Sequence, residues 1–229
     1  MKILAIEFSS EQRSVALVEK TGSENCRVLG AVSDSTRQAA ALSLVENVLG
    51  ESKTEREQIE VVAVGIGPGS YNGIRAAIAL AQGWQLASAG KVKLLGISSA
   101  ECLARVAQRQ IQNSKFKIEN SNKTRVIIDA QRNEVYSAVY EISAEEIREI
   151  KSLCIAPIGE LAGGLQPGEI IVGSEVKRWF EEGVRLFPEA AMLGEIAASR
   201  SNFVSSEKLE PIYLRESSFV KAPAPRVIV

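Results

Sequence analysis

Short apolar runs separated by polar turns open the chain. Ile3–Phe8 is one such run, a few residues long and without charge until Glu7, which predicts a buried strand. Ser9-Ser10-Glu11-Gln12 is turn-like, Ser14–Val18 predicts a second strand and Arg27–Val32 a third. Such close spacing predicts an antiparallel meander. Ser35 or Thr36 can cap a helix carrying Leu42, Val45 and Leu49, with Gly50 as its stop. After a polar stretch, Val61–Ile66 reads as a strand broken by Gly67-Pro68-Gly69-Ser70, Gly73–Ala89 as a helix, and Val92–Ile97 as a strand. Ser98 with Glu101 forms a capping-box pattern opening a helix to about Gln112. The order β-β-β-α-β-α-β-α predicts parallel strands with right-handed crossovers in its later part.

The pattern then repeats. Ile128-Asp129-Ala130 stands 122 positions after Ile6-Glu7-Phe8, and with that offset Ser137–Glu141 falls on Val15–Glu19. Repetition at this length predicts a duplicated domain rather than a solenoid. The expected division is 1–112 and 124–229 around a polar linker, with the C-terminal helix packing back on the first half. Helices are expected over Ser174–Leu186 and Pro188–Ser199, and an irregular tail around Ala222-Pro223-Ala224-Pro225.

Composition narrows the chemistry. Hydrophobic residues make up 45% of the 229 and charged residues 24%, with a net charge of −1, ordinary values for a soluble domain. No basic excess marks a nucleic-acid binder. The first apolar run is too short for a signal peptide, and no run approaches a membrane span, so a cytoplasmic protein is expected. Cys26, Cys102 and Cys154 lie far apart, without the spacing of a zinc knuckle. Histidine is absent altogether, which excludes a Ser-His-Asp triad, a Cys-His pair and every His-ligated metal site. No metal site is therefore expected.

Three stretches in chain order carry a family resemblance. Gly67-Pro68-Gly69-Ser70-Tyr71-Asn72-Gly73-Ile74-Arg75 resembles the GPGSFTGLR signature of the TsaB (YeaZ) family. Asp129-Ala130-Gln131-Arg132-Asn133-Glu134-Val135-Tyr136 is similar to its DAR-x-x-EVY segment, and Pro211-Ile212-Tyr213-Leu214-Arg215 to its P-x-YLR segment. The resemblance implies the actin-like ATPase superfamily: an α/β fold of two ribonuclease H-like lobes with mixed five-stranded sheets, the second degenerate. It implies a non-catalytic dimerisation subunit of the complex that makes N6-threonylcarbamoyladenosine on tRNA. The implied partners are the catalytic paralogue TsaD and a small ATPase, TsaE, with a homodimer left open and tRNA contacted mainly through the partners. No tightly bound cofactor is expected, and ATP or ADP only in the assembled complex. The chain departs from the family in Glu7-Phe8-Ser9 for Asp-Thr-Ser, in Tyr71-Asn72 for Phe-Thr, and in lacking a histidine near Thr36.

Each feature has a plainer reading. Gly67, Gly69 and Ser70 could cradle a phosphate, with Arg75 near it, but no Walker lysine follows; a tight strand-to-helix turn explains the glycines as well. Glu7 and Asp129 end equivalent strands, where acids orient magnesium in a working ATPase; as framework they would brace local backbone. An ATPase or phosphotransferase is the main alternative. A peptidase is a weaker one, because Ser70 has no histidine base. Residues 105–125 carry Arg105, Arg109, Lys115, Lys117, Lys123 and Arg125 against Glu119, a stretch that could touch tRNA phosphates or be a solvated loop. The helix at 73–89 carries no charge from Ala76 to Gly90. A helix apolar all round has no solvent face; it and the preceding helix could simply cover each other inside the domain, but two helices on one sheet leave outer ridges exposed, so Ala76, Leu80, Gly83 and Trp84, with Ala39 and Leu42 of the preceding helix, are the expected partner interface.

Overall fold

The computed structural model describes residues 1–22, 25–36, 40–113, 122–143 and 145–215. Its first half runs β1 (Lys2–Glu7), β2 (Arg13–Lys20), β3 (Cys26–Asp34), α1 (Ala41–Glu51), β4 (Val61–Gly65), α2 (Tyr71–Ala87), β5 (Lys93–Ile97) and α3 (Ser99–Asn113). Then follow β6 (Asn122–Asp129), β7 (Glu134–Ile142), β8 (Ile147–Pro157), α4 (Ile158–Gly163), β9 (Ile170–Gly173), β10 (Val184–Arg185) and α5 (Ala190–Ala198). The strands form two five-stranded sheets, β3-β2-β1-β4-β5 and β8-β7-β6-β9-β10. In each, the first strand pairs antiparallel with the second and parallel with the fourth. The repeat read from the sequence is thus a repeat of sheet topology, and Glu7 and Asp129 end the matching central strands. The second copy is reduced: α4 has six residues and β10 two.

Alternation along β1 sorts its side chains between two covers. Leu4 and Ile6 meet α1 and α2 through Val45, Val48, Ile74 and Ala77. Ile3 and Ala5 meet Cys102 and Val106 of α3 and Leu193 and Ile196 of α5. A sheet covered on both faces needs apolar residues at every position, which is why β1 and β4 read as continuous apolar runs. The opposite side of α3, with Ala100, Leu103, Ala104 and Ala107, packs on Val126, Ile128, Ala138 and Tyr140 of the second sheet. Helix α3 is therefore the layer between the sheets. The far face of the second sheet is closed by Leu161, Val176, Trp179 and Phe180.

Three expectations are corrected. The segment Ser174–Leu186 is not an α-helix but a 3-10 turn at Val176–Arg178 followed by β10. Its helix-like spacing of Val176, Trp179 and Phe180 is met by a chain folding back on itself; a β-carbon on Gly183 would lie 2.3 Å from Val176 Cγ2. Helix α1 begins at Ala41 without a side-chain cap, because Thr36 is held in a turn by Asp34 Oδ1, which accepts from its amide at 2.9 Å. Gly50 lies inside α1; the helix ends where Ser52 Oγ donates to the Val48 carbonyl at 2.7 Å. The proline-rich tail and the centre of the 113–123 linker lie outside the described residues.

Candidate functional site

The glycine loop after β4 is shaped by what it packs against. A β-carbon on Gly65 would stand 2.0 Å from Glu7 Oε2. Glu7 is fully buried; its Oε1 accepts from the Ser9 amide at 2.7 Å and its Oε2 from Ser99 Oγ at 2.9 Å. Burial pushes the Glu7 carboxyl above the ordinary range, against the opposing pull of the Ser9 and Ser99 hydrogen bonds. Glu7 thus braces three segments from within and does not line the neighbouring cleft. Gly69, at φ +145, and Gly73 lie so near the preceding turn that a β-carbon would meet Ser9 O at 2.1 Å and Phe8 O at 2.0 Å. The Ser70 amide donates to the Ser9 carbonyl at 2.7 Å, and Ser70 Oγ caps α2 by accepting from Gly73 N at 3.3 Å. Gly67, in cis linkage to Pro68, gives its carbonyl to the Ser99 amide at 2.8 Å. The glycines thus admit neighbouring backbone, as the plainer reading expects.

Between the sheets' ends lies a cleft of about 640 Å³, with Gly69, Ser70, Asp129, Glu175, Tyr213 and Arg215 in its walls. Asp129 accepts from the Gln131 amide at 2.7 Å and pairs with Arg178 at 3.0 Å. Gln131, Arg132 and Asn133 all hold positive φ, forming the tight turn from β6 to β7. Residues 209–215 strap the halves together. Leu209 is buried in the first lobe, Ile212 N donates to Ile66 O at 2.9 Å, and Arg215 donates to Ala130 O at 2.8 Å and Glu134 Oε2 at 2.6 Å. The glycine loop, the Asp129 turn and the strap, far apart in sequence, therefore meet at one place. Glu175 in the cleft is raised by burial and by the charges of Asp129 and Glu11. Asp129 and Glu11 are themselves paired, with Arg178 and Arg185.

Beside the cleft, Arg75 lies over the Tyr71 ring, 5.0 Å from its centre, and donates to the Tyr71 hydroxyl. Tyr71 meets Tyr213 with ring centres 6.0 Å apart. Arg75 therefore serves an aromatic group rather than the glycine loop. Tyr213 and Arg215 were carried in the sequence only by the 211–215 match, whose spacing implies no site.

On the outer side of the first lobe, α1 and α2 border a groove of about 470 Å³ lined by Leu42, Val45, Leu80, Gly83 and Trp84. Leu42 is 56% exposed and Leu86 83%; Ala76 and Gly83 are exposed, while Leu80 and Trp84 are half-buried against the core. Helix α2 presents no charge outward beyond Arg75. Helix α1 differs from expectation: Leu44, Val45, Val48 and Leu49 are buried, and its outer face carries Ser43, Glu46 and Asn47 besides Leu42. Ala39 lies outside the described residues. Among the described residues, the basic stretch is divided between different partners. Arg109 pairs with Glu195, Arg125 is buried beside Glu169 at 2.7 Å, and Lys115 and Lys117 lie outside the described residues.

Comparison with known proteins decides the family. The chain is 30% identical over 236 residues to the tRNA threonylcarbamoyladenosine biosynthesis protein TsaB of Escherichia coli (strain K12), covering 95% of this chain and 96% of that one. This chain belongs to the TsaB family. A second relative called TsaB, from Haemophilus influenzae, is 28% identical over 65% of this chain and 56% of its own. A family model described as TsaD: tRNA N6-adenosine threonylcarbamoyltransferase matches residues 32–213. Among solved structures, YeaZ from Pseudomonas aeruginosa superposes with a TM-score of 0.74 at 24% identity, over 93% of this chain and 99% of that one, and so shares the fold. Against the TsaB signature, Tyr71 replaces a phenylalanine, and its hydroxyl makes the bond to Arg75 that a phenylalanine lacks.

Proposed function

We propose that this TsaB-family chain is a non-catalytic subunit in the formation of N6-threonylcarbamoyladenosine on tRNA, acting in the cytoplasm by docking a TsaD-type catalytic paralogue. The observation that carries the reading is the outer face of α2, exposed and uncharged from Ala76 to the end of the helix. Burying such a surface expels water from aliphatic contacts, and Ala76, Ala79 and Gly83 are small enough for another helix to approach closely. The match to a TsaD family model supports a paralogue of the same fold as the occupant, since two like lobes can pair like faces. A homodimer through this face and recruitment of a TsaE-type ATPase by the assembled pair belong to the same proposal, as does the absence of a resident cofactor.

The ATPase alternative has less support. Glu7 is enclosed rather than open to the cleft, and Asp129 is neutralised by Arg178. Any nucleotide would sit at the joint of the complex. The peptidase alternative lacks a histidine base for Ser70, whose hydroxyl is used in capping α2.

The test is reconstitution. The chain is co-expressed with a TsaD-type paralogue, their association is measured by sedimentation, and modified adenosine in an unmodified tRNA transcript is counted by mass spectrometry. The paralogue should need this chain for full activity, while the chain alone should modify nothing. A paralogue equally active without it refutes the subunit role, and modification by the chain alone refutes its non-catalytic character.

A further inference from the structure

We propose that Tyr71, Arg75 and Tyr213 form a stacking site for an unpaired base of a single-stranded RNA segment, an inference that rests on the role in tRNA modification proposed above. Both tyrosines are 55% exposed although they touch one another. Large aromatic rings usually gain more by burial than this. Tyr71 and Tyr213 form the shared wall of two hollows, the interlobe cleft and one of about 490 Å³ between α2 and residues 209–213. A planar ligand laid on this wall from the interlobe cleft covers the exposed rings and leaves Ala79, at the far side of the second hollow, to the docking face of α2.

The chemistry favours a nucleotide unit over a bare apolar ligand. Arg75 has no acidic partner among the described residues, and its charge is held over Tyr71 at the first turn of α2. Glu210 lines the same hollow without pairing with Arg75 among the described residues, and a guanidinium outside an ion pair attracts an anion. Asn72, exposed beside Tyr71, offers a carboxamide to a base edge. Asn72 stands in the wall of the interlobe cleft and Arg75 in that of the other hollow, so a base stacked on the rings between them can place its edge at Asn72 and its phosphate at Arg75. A proline-rich peptide would use the rings and leave Arg75 idle. With a net charge of −1 and sequence pI near 5.8, the chain has no general pull on phosphates. Stacking, not charge, must then supply the affinity, so binding should respond only weakly to salt. Each phosphate neutralised contributes a slope of about −0.7 on a single strand, and one or two phosphates are expected.

The site is tested with the full chain, alone and paired with its paralogue. The probes are a fluorescein-labelled single-stranded oligoribonucleotide, an unmodified tRNA transcript, a fully paired RNA duplex and a proline-rich peptide. The single strand should bind and the duplex should not. Tyr213→Ala should weaken single-strand binding about tenfold or more, Tyr213→Phe should restore most of it, and Arg75→Gln should flatten the salt slope by about 0.7. Melting curves and pairing with the paralogue should be unchanged in the Tyr213 variants. Equal binding by Tyr213→Ala and the parent overturns the proposal, as do preference for the duplex, capture of the peptide alone, and absence of RNA binding by both chain and complex. Association and tRNA modification, read on the same preparations, distinguish this failure from failure of the subunit role.

Discussion

Ala76→Asp separates a docking surface from a packing surface. In the free chain Ala76 is exposed on the outer face of α2, and substitutions at such positions change stability by within about 0.5 kcal/mol. For a chain of this size, 1 kcal/mol moves the melting temperature by about 2–4 °C, so the variant should melt within about 2 °C of the parent. If a paralogue covers α2, the same carboxylate loses water and gains no counter-ion. An uncompensated buried charge costs about 3–5 kcal/mol, which weakens pairing by roughly two to four powers of ten at 1.4 kcal/mol each. Leu80→Glu is a less clean probe, because Leu80 is half-buried against the core. It should lose about 1 kcal/mol of burial in the free chain and melt about 2–4 °C lower as well as failing to pair. Sedimentation with the paralogue and thermal melting of each variant read both quantities. Normal pairing by a folded Ala76→Asp chain would place the docking surface elsewhere, and unfolding of that variant would make the outer face of α2 part of the core.

Other substitutions probe the interior. Glu7 has a raised pKa in the folded chain, so the contribution of its titration is present at pH below the ordinary carboxyl range and lost as pH rises through the raised value. Melting curves should show Glu7→Gln gaining on the parent as pH rises from 4 to 8; parallel curves would refute the burial argument. Gly69→Ala forces a β-carbon to within 2.1 Å of Ser9 O at positive φ, an overpacking that costs about 1–3 kcal/mol and should lower the melting temperature by about 2–12 °C. Arg125 and Glu169 form a buried ion pair without the alignment of a hydrogen bond, the Glu169 side chain being 1% exposed. Glu169→Leu alone should cost about 3–5 kcal/mol, and adding Arg125→Met should recover most of it, as calorimetry on the single and double variants would show.

The centre of the first lobe was legible because β1 and β4 are covered on both faces and read as unbroken apolar runs. Strand β8 was not, since it is an edge strand with Arg148, Glu149, Ile150 and Lys151 exposed, leaving no clean period to detect. The 174–186 segment misled because Val176, Trp179 and Phe180 close the second sheet from a compact turn with the spacing of a helix face. Of the candidate site, the outer face of α2 was visible as a run without charge. The junction at Arg215 was not, because its bonds to Ala130 and Glu134 span more than eighty positions; only the likeness of 211–215 to a known segment pointed there. Arg125 looked like an RNA contact because its charge was visible in the sequence and the burial of Glu169 beside it was not.

The exchange of covers between the two halves has a consequence for synthesis. One face of the first sheet, with Ile3, Ala5, Ala16 and Val18, is closed partly by α3 and partly by α5, and α5 lies near the end of the described chain. After α3 leaves the ribosome, more than 80 further residues must be made before α5 exists. At about 5–20 residues per second that wait lasts roughly 4–16 s. A first sheet that forms during those seconds has an open apolar face, long enough for a chaperone to cover it or for a neighbouring chain to lodge its own α5 there.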